Sequence, residues 1–332
     1  MTSRSKVLRS SLPGLLLFLL TLIASPASLA DPDSQLTAQQ LINNMSRALS
    51  TLNYDGTFIY QRGQQMDSMR LIHKADKDGE FERLISLTGS PREVIRNNES
   101  VTCIFPDNQS VMVEKSRPEK LVSPLPDSIE TLASNYTFAI AGEDRVTGRQ
   151  AWIIHIIPND KYRYGYQLWI DKQNNLLLKS ELRNETGMPL EQIMFTQLNV
   201  LDTVPDALLK PSLSGTNYTW YENTPGKVSN KSGESRWKVT WMPAGFSMKD
   251  YEKKLSEYSD SPVEHLIYTD GVAMVSIFIE KLRKDMTVSI GPSRLGGVNT
   301  FARSFNGYQV TAVGEVPQVT VQGMANSVVA NR

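Results

Sequence analysis

The spacing of apolar residues changes several times along the chain, and each change marks a boundary. A run from Leu12 to Ala24 is predominantly apolar, follows Arg4, Lys6 and Arg9, and leads into Ser25-Pro26-Ala27-Ser28-Leu29-Ala30. It is too short, and too interrupted by Pro13, for the roughly 20 apolar residues of a membrane span. With Ser28 and Ala30 at the −3 and −1 positions, it predicts an export signal over residues 1–30, cleaved after Ala30. Next, Leu41, Met45, Ala48 and Leu52, flanked by Ile42 and Leu49, recur at helical intervals behind a capping box at Thr37-Ala38-Gln39-Gln40.

From Tyr54 to Leu201 the period shortens to that of strands. These are expected over 56–61, 66–74, 81–87, 101–105 and 110–114, and again over 152–157, 162–171, 176–183 and 190–201. Within one of them Tyr164, Tyr166, Leu168 and Ile170 share a face, opposite Arg163, Gln167 and Asp171. That alternation predicts an antiparallel sheet with one dry and one wet face. Pro118, Pro124 and Pro126 interrupt the strands, and Asp127–Ala133 is expected to be a short helix contacting through Ile129 and Leu132. The expected fold is α+β: a large antiparallel sheet over 31–201 whose concave face is covered by two helices, a packing that can either fill completely or leave a cavity for an apolar ligand. Tyr164, Tyr166, Leu168, Ile170, Leu178 and Leu182 are the candidate ligand-binding residues.

Periodicity collapses in a segment rich in Pro, Gly, Ser and Asn, so 205–235 is expected to be a linker. A smaller α+β domain over 236–332 follows. Its expected elements are a helix from Ser247 to Tyr258 with stripe Met248, Tyr251, Leu255 and Tyr258, two hairpins turning at Asp270-Gly271 and Asn306-Gly307, and a last helix opened by Pro317. Gly291–Gly297 lacks the strand–loop–helix setting of a phosphate loop and is expected to be a mobile surface loop.

Composition narrows the chemistry. Removing residues 1–30 takes away three of the 35 basic and none of the 35 acidic side chains, leaving 32 against 35, about −3. No basic block points to nucleic acid. Cys103 is the single cysteine, which excludes an intramolecular disulfide and offers no lipid-acceptor position at residue 31. His73, His155 and His265 show no ligand spacing, and no nucleophile elbow, zinc-protease motif or phosphate-cradling loop is present. No cofactor, metal site or catalytic residue is expected, although carboxylates could pair across space in a way that sequence does not reveal.

Several segments together resemble the RseB/MucB family of periplasmic regulators. They are Pro158-Asn159-Asp160, Arg163-Tyr164-Gly165-Tyr166, Leu168-Trp169-Ile170-Asp171 and Leu190-Glu191-Gln192, then Trp241–Phe246, Val263–Gly271 and Val310–Pro317. The family usually carries Leu-Pro where Met242-Pro243 stands here, a volume-conserving change. The resemblance covers essentially the whole chain after residue 30. It implies an N-terminal domain over 31–204 like the lipoprotein carriers LolA and LolB, an open antiparallel half-barrel wrapped around helices, and a C-terminal domain that contacts the periplasmic part of a membrane-spanning anti-sigma factor. On this resemblance the chain shields that factor from proteolysis, so that an envelope-stress sigma factor stays sequestered, and lipid or lipopolysaccharide-type ligands weaken the grip. Trp241, Phe246, Tyr268, Arg294 and Phe301 are the candidate partner-binding residues. A periplasmic lipid or lipoprotein carrier is the alternative, and self-association stays open.

Overall fold

In the computed structural model of the chain, residues 36–98, 100–114, 125, 129–212, 217–223, 235–256, 259–282 and 290–331 are described; the expected export segment lies outside them. Helix α1 spans Ala38–Thr51. The Gln40 N–H donates to the Thr37 hydroxyl at 3.1 Å, and the Thr37 N–H donates to the Gln40 side chain at 2.8 Å. Two donors that a helix start leaves bare are thus satisfied, and the stripe Leu41, Ile42, Met45, Leu49 is buried.

Twelve strands form the large sheet: β1 (Asn53–Arg62), β2 (Gln65–Asp76), β3 (Gly79–Ser86), β4 (Glu93–Arg96), β5 (Val101–Phe105), β6 (Ser110–Glu114), β7 (Tyr136–Val146), β8 (Arg149–Pro158), β9 (Gly165–Asp171), β10 (Leu177–Arg183), β11 (Pro189–Leu201) and β12 (Thr219–Asn223). Their order is β12-β6-β5-β4-β3-β2-β1-β11-β10-β9-β8-β7, so two meanders are joined where β1 pairs with β11 and the end strands stay apart. The sheet is open, a half-barrel with α1 on its inner face.

Several expectations need correction. Strands β4 and β7 were not visible in the sequence pattern. Strand β7 ends the sheet with most of its residues exposed or half-exposed, so little alternation shows. In β4, two of four residues are charged and buried, Glu93 against Arg83 at 2.9 Å and Arg96 against Glu82 at 2.6 Å. The helix expected over 127–133 is a 3₁₀ turn, Glu130–Leu132; Ile129 and Leu132 are buried, while Asp127 and Ser128 lie outside the described residues. The strand expected from Tyr162 begins only at Gly165. Its supposedly wet face is also dry. Arg163, Gln167 and Asp171 are buried because each meets a partner, Asp171 with Arg149 at 2.8 Å and Gln167 with His155 at 3.1 Å.

Parts of the 205–235 segment are built into the sheet. Strand β12 pairs in parallel with β6, and a 3₁₀ turn at Asp206–Leu209 packs on the outer face. Arg83 fastens it by donating to the Leu208 carbonyl at 3.0 Å and to the Ser212 hydroxyl at 2.5 Å. Ile72, Ile104 and Val111 are buried on that outer face.

The C-terminal half has β13 (Trp237–Val239), β14 (Ser247–Ser256), β15 (Ser259–Thr269), β16 (Met274–Lys281), β17 (Gly291–Leu295), β18 (Val298–Phe305), β19 (Tyr308–Gly314), helix α2 (Gln318–Asn326) and β20 (Val328–Ala330). Six strands order as β14-β15-β16-β19-β18-β17, and α2 closes the core with Val321, Met324 and Ala325. Both turn dipeptides form hairpins; Asn306 and Gly307 take φ 50° and 77°, the left-handed pair such a tight turn needs. The helix expected from Ser247 is instead the edge strand β14. A bulge between Met248 and Asp250 shifts the alternation, so Met248 and Tyr251, three residues apart, fit a pleat as well as a helix. Tyr258 lies outside the described residues. The glycine-rich segment is also not a free loop. Gly291–Leu295 is a strand, and the Gly296-Gly297 turn lies against Arg62, Leu182 and Glu191 of the N-terminal half.

Candidate functional site

Strand register builds the first feature. Directly paired residues share a face, and successive pairings link Leu198, Gly56, Leu71, Leu84, Val94, Cys103, Met112 and Tyr221 into one row across the inner face. Leu198 and Leu71 lie in the core beneath α1, and Gly56 has no room for a Cβ beside the Phe195 ring at 2.7 Å. The other end is uncovered: Met112 is 43% and Tyr221 60% exposed. A dry inner face thus runs outward into a stripe of apolar side chains open to an apolar occupant. On the outer face Trp220 is 55% exposed beside buried Val111. Burial raises the Cys103 thiol above its ordinary value, which keeps it protonated and unreactive within the row.

The second feature is a seam between the two halves. Arg163 is buried and bridges them. It pairs with Asp270 at 2.6 Å and Asp160 at 2.9 Å, and donates to the Ala244 carbonyl at 2.6 Å. Its guanidinium lies 5.3 Å from the Phe246 ring and 5.5 Å from that of Tyr136. The Tyr136 hydroxyl donates to Asp270 at 2.9 Å, and burial raises its pKa far above the ordinary phenol value. Asp270 also accepts from the Val272 and Ala273 N–H groups at 2.9 and 2.7 Å, so the hairpin turn read from the sequence doubles as an anchor. Further along, Thr320 donates to the Tyr162 carbonyl at 2.6 Å and Asn299 to the Tyr164 hydroxyl at 2.9 Å. The Tyr166 hydroxyl meets Glu315 at 3.1 Å, and the Gly297 N–H donates to Glu191 at 3.0 Å.

The candidate ligand residues separate into two groups. Leu168, Ile170 and Leu178 are buried in the N-terminal core. Tyr164 and Tyr166 reach across the seam, and Leu182 lies under Gly297. None of the six lies on the uncovered part of the inner face, and no sequence signal marks that part, because each strand contributes a single residue to it. Among the candidate partner residues, Phe246 and Tyr268 are buried and Phe301 packs against the C-terminal core. Trp241 and Arg294 are exposed. The Trp241 ring meets Tyr162 edge-on at 5.3 Å and covers Gly323 of α2, where a Cβ would fall 2.3 Å from the ring.

The fold also gathers His73, Glu80 and Glu82, which sequence spacing did not suggest, with one ligand atom from each lying within 4.8 Å of the others. A cation already sits there. Arg96 donates to Glu82 at 2.6 Å and to Glu80 at 2.7 Å. Although burial opposes ionisation, hydrogen bonds from His73 and Arg96 lower the Glu80 carboxyl from 4.5 to about 2. His73 Nδ1 lies 2.7 Å from the Leu52 carbonyl at the end of α1 and donates to it, and the Tyr54 ring stacks on the imidazole at 4.7 Å. This is an ion network that ties α1 to the sheet rather than an open coordination site. Among the described residues no helix is long and apolar enough to cross a membrane.

Two family descriptions match the sequence, the MucB/RseB N-terminal domain over residues 37–213 and the MucB/RseB C-terminal domain over 231–329. The sigma factor AlgU regulatory protein MucB of Pseudomonas aeruginosa is 32% identical over 95% of this chain and 96% of its own length. The sigma-E factor regulatory protein RseB of Escherichia coli K12 is 26% identical over 96% of each. Among solved structures, the Pseudomonas aeruginosa MucA/MucB complex matches with TM-score 0.72 at 30% identity, over 89% of this chain and 99% of the other. A crystal structure of MucB alone, at 28% identity over 89% and 98%, matches with TM-score 0.62. By both domains and by full-length relatedness, the chain belongs to the MucB/RseB family.

Proposed function

We propose that this chain is a periplasmic regulatory binding protein that engages the periplasmic region of a membrane-spanning anti-sigma factor. Bound there, it shields the factor from regulated proteolysis and so restrains the envelope-stress sigma factor. The observation that carries this reading is that the fold of the whole chain matches that of MucB solved in complex with MucA, with TM-score 0.72 over 89% of this chain, and that both MucB/RseB domains are present. Binding by a two-part surface needs no bond-making step, and no catalytic residue is assigned. The export segment over 1–30, cleaved after Ala30, delivers the chain to that compartment, and N-terminal sequencing of periplasmic protein checks the cut. Adding purified protein to the anti-sigma periplasmic region and its protease should slow cleavage; unchanged cleavage at saturating protein rejects the reading.

The uncovered stripe favours a second binding function on the same molecule. Lipid or lipopolysaccharide-type acyl chains seated on Val94, Met112 and Tyr221 favour release of the anti-sigma factor by binding the free state more tightly than the bound one. Mass spectrometry of natively purified protein should find an acyl chain. Stoichiometric lipid transfer between membranes without any anti-sigma partner would instead make the chain a lipid or lipoprotein carrier.

A further inference from the structure

The seam contains two contacts built from opposite electrostatics. Around Arg163 each carboxylate has a cationic partner: one guanidinium is shared by Asp160 and Asp270 and also donates to a carbonyl. Further along, two acidic side chains from opposite halves lie against the same glycine, Gly297. Glu315, just after β19, accepts a hydrogen bond from the Tyr166 hydroxyl at 3.1 Å. Glu191, near the start of β11, accepts from the Tyr60 hydroxyl and from the Gly297 N–H. A Cβ on Gly297 would lie 3.2 Å from Glu315 Cγ and 3.4 Å from Glu191 Oε1, so both acids flank one glycine.

The groups facing this contact do little to neutralise it. Tyr60 and Tyr166 are held protonated, their pKa values raised first by burial and then by the carboxylates. Arg62 on β1 lies beside Gly296, Arg294 on β17 is exposed and donates to the Gly296 carbonyl at 2.9 Å, and Tyr164 is engaged by Asn299. The more distant Glu185, in the turn between β10 and β11, adds a further negative charge. Among the described residues no lysine or arginine forms an ion pair with Glu191 or Glu315.

We propose that Glu191 and Glu315 form a proton-operated contact between the two halves, closed while Glu315 carries a proton and loosened when both acids are ionised. Burial, and then the charge of Glu191, push the Glu315 carboxyl from 4.5 up to about 7, against the opposing hydrogen bond from Tyr166. The sign follows from linkage. The closed seam binds more protons than the open one between those two values, so closure is favoured at acid pH and weakens as pH rises. Within that window the closed-to-open ratio falls by up to about tenfold per pH unit and levels off above it. The buried contacts of Arg163 with Asp160 and Asp270 act as the pivot about which the contact loosens. The protein would thereby sense external pH through its own domain contact, independently of any bound partner.

The test uses the full chain without its export segment. Carboxyl-detected NMR should show Glu315 titrating near neutrality, and small-angle scattering from pH 5 to 8.5 should show the radius of gyration rising through the same range. Glu315→Gln keeps an acceptor for Tyr166 without a charge and should stay compact at every pH. Glu191→Gln should move the Glu315 titration toward acid. A Glu315 carboxyl titrating in the ordinary range near 4.5, a wild type whose dimensions ignore pH, or a Glu315→Gln variant that still expands would each overturn the proposal. The NMR titration of the wild type stands even if a variant fails to fold.

Discussion

One side of the large sheet is sealed and the other is not, although both are built from the same kind of antiparallel hairpin. On the sealed side, β1, β2 and β7 to β11 form with α1 one buried core on the inner face and meet the C-terminal half at the seam, where even Arg163 is buried. On the open side, the 205–212 segment packs on the outer face at β3 and β4 while Trp220 of β12 stays exposed there, and the inner face runs out to Met112 and Tyr221. The residues of the inner row are apolar at both ends. What differs is whether a second layer exists to cover them, so hydrophobicity along a strand reports the need for a partner but not its presence.

The largest effect should come from the seam. Arg163→Met leaves Asp270 buried without its cation, at a cost of about 3–5 kcal/mol; urea unfolding should show it, and an unchanged midpoint would mean that water replaces the guanidinium. Next, Leu71→Ala in the sealed part of the row should cost about 2–5 kcal/mol through the cavity it leaves.

A third effect is set by pH. Glu80 has its carboxyl lowered from 4.5 to about 2, so its contribution is intact above 4.5 and is lost as pH falls through 2. Acid unfolding monitored by helix circular dichroism should lose α1 in that range, and Glu80→Gln should flatten the profile there. The smallest change in stability belongs to Met112→Ser, about 0.5 kcal/mol, because much of the side chain already faces water. Uptake of a fluorescent fatty acid should nevertheless fall, whereas it should survive a surface change such as Lys238→Ala on β13. Equal losses of stability from Leu71→Ala and Met112→Ser would erase the distinction between the two sides.

Local chemistry made some elements legible. The capping box at Thr37 and Gln40 and the Asp-Gly and Asn-Gly turns are each decided within a few residues and formed as read, and α2 buries Val321, Met324 and Ala325, while Val328, expected on the same stripe, falls in β20. Elements that depend on distant partners were not legible. Strand β14 shows a helix-compatible spacing until β15 claims its backbone hydrogen bonds, and β4 is held by ion pairs whose members are 10 and 14 residues apart. The candidate site divides the same way. The tyrosines before and within β9 were found by alternation, but their hydroxyls meet Asn299 and Glu315, more than a hundred residues onward.

By itself, then, the sequence determined the period of each segment, the tight turns, the helix start, the absence of a disulfide and the family resemblance. Those properties are carried by neighbours along the chain or by residue identity alone. Only the tertiary structure decided which faces are covered, that the two halves share a buried charged seam, and that two acids flank Gly297. Register and burial arise from pairings between residues far apart in the chain, and the cost of desolvating a charge depends on the partner that folding brings to it.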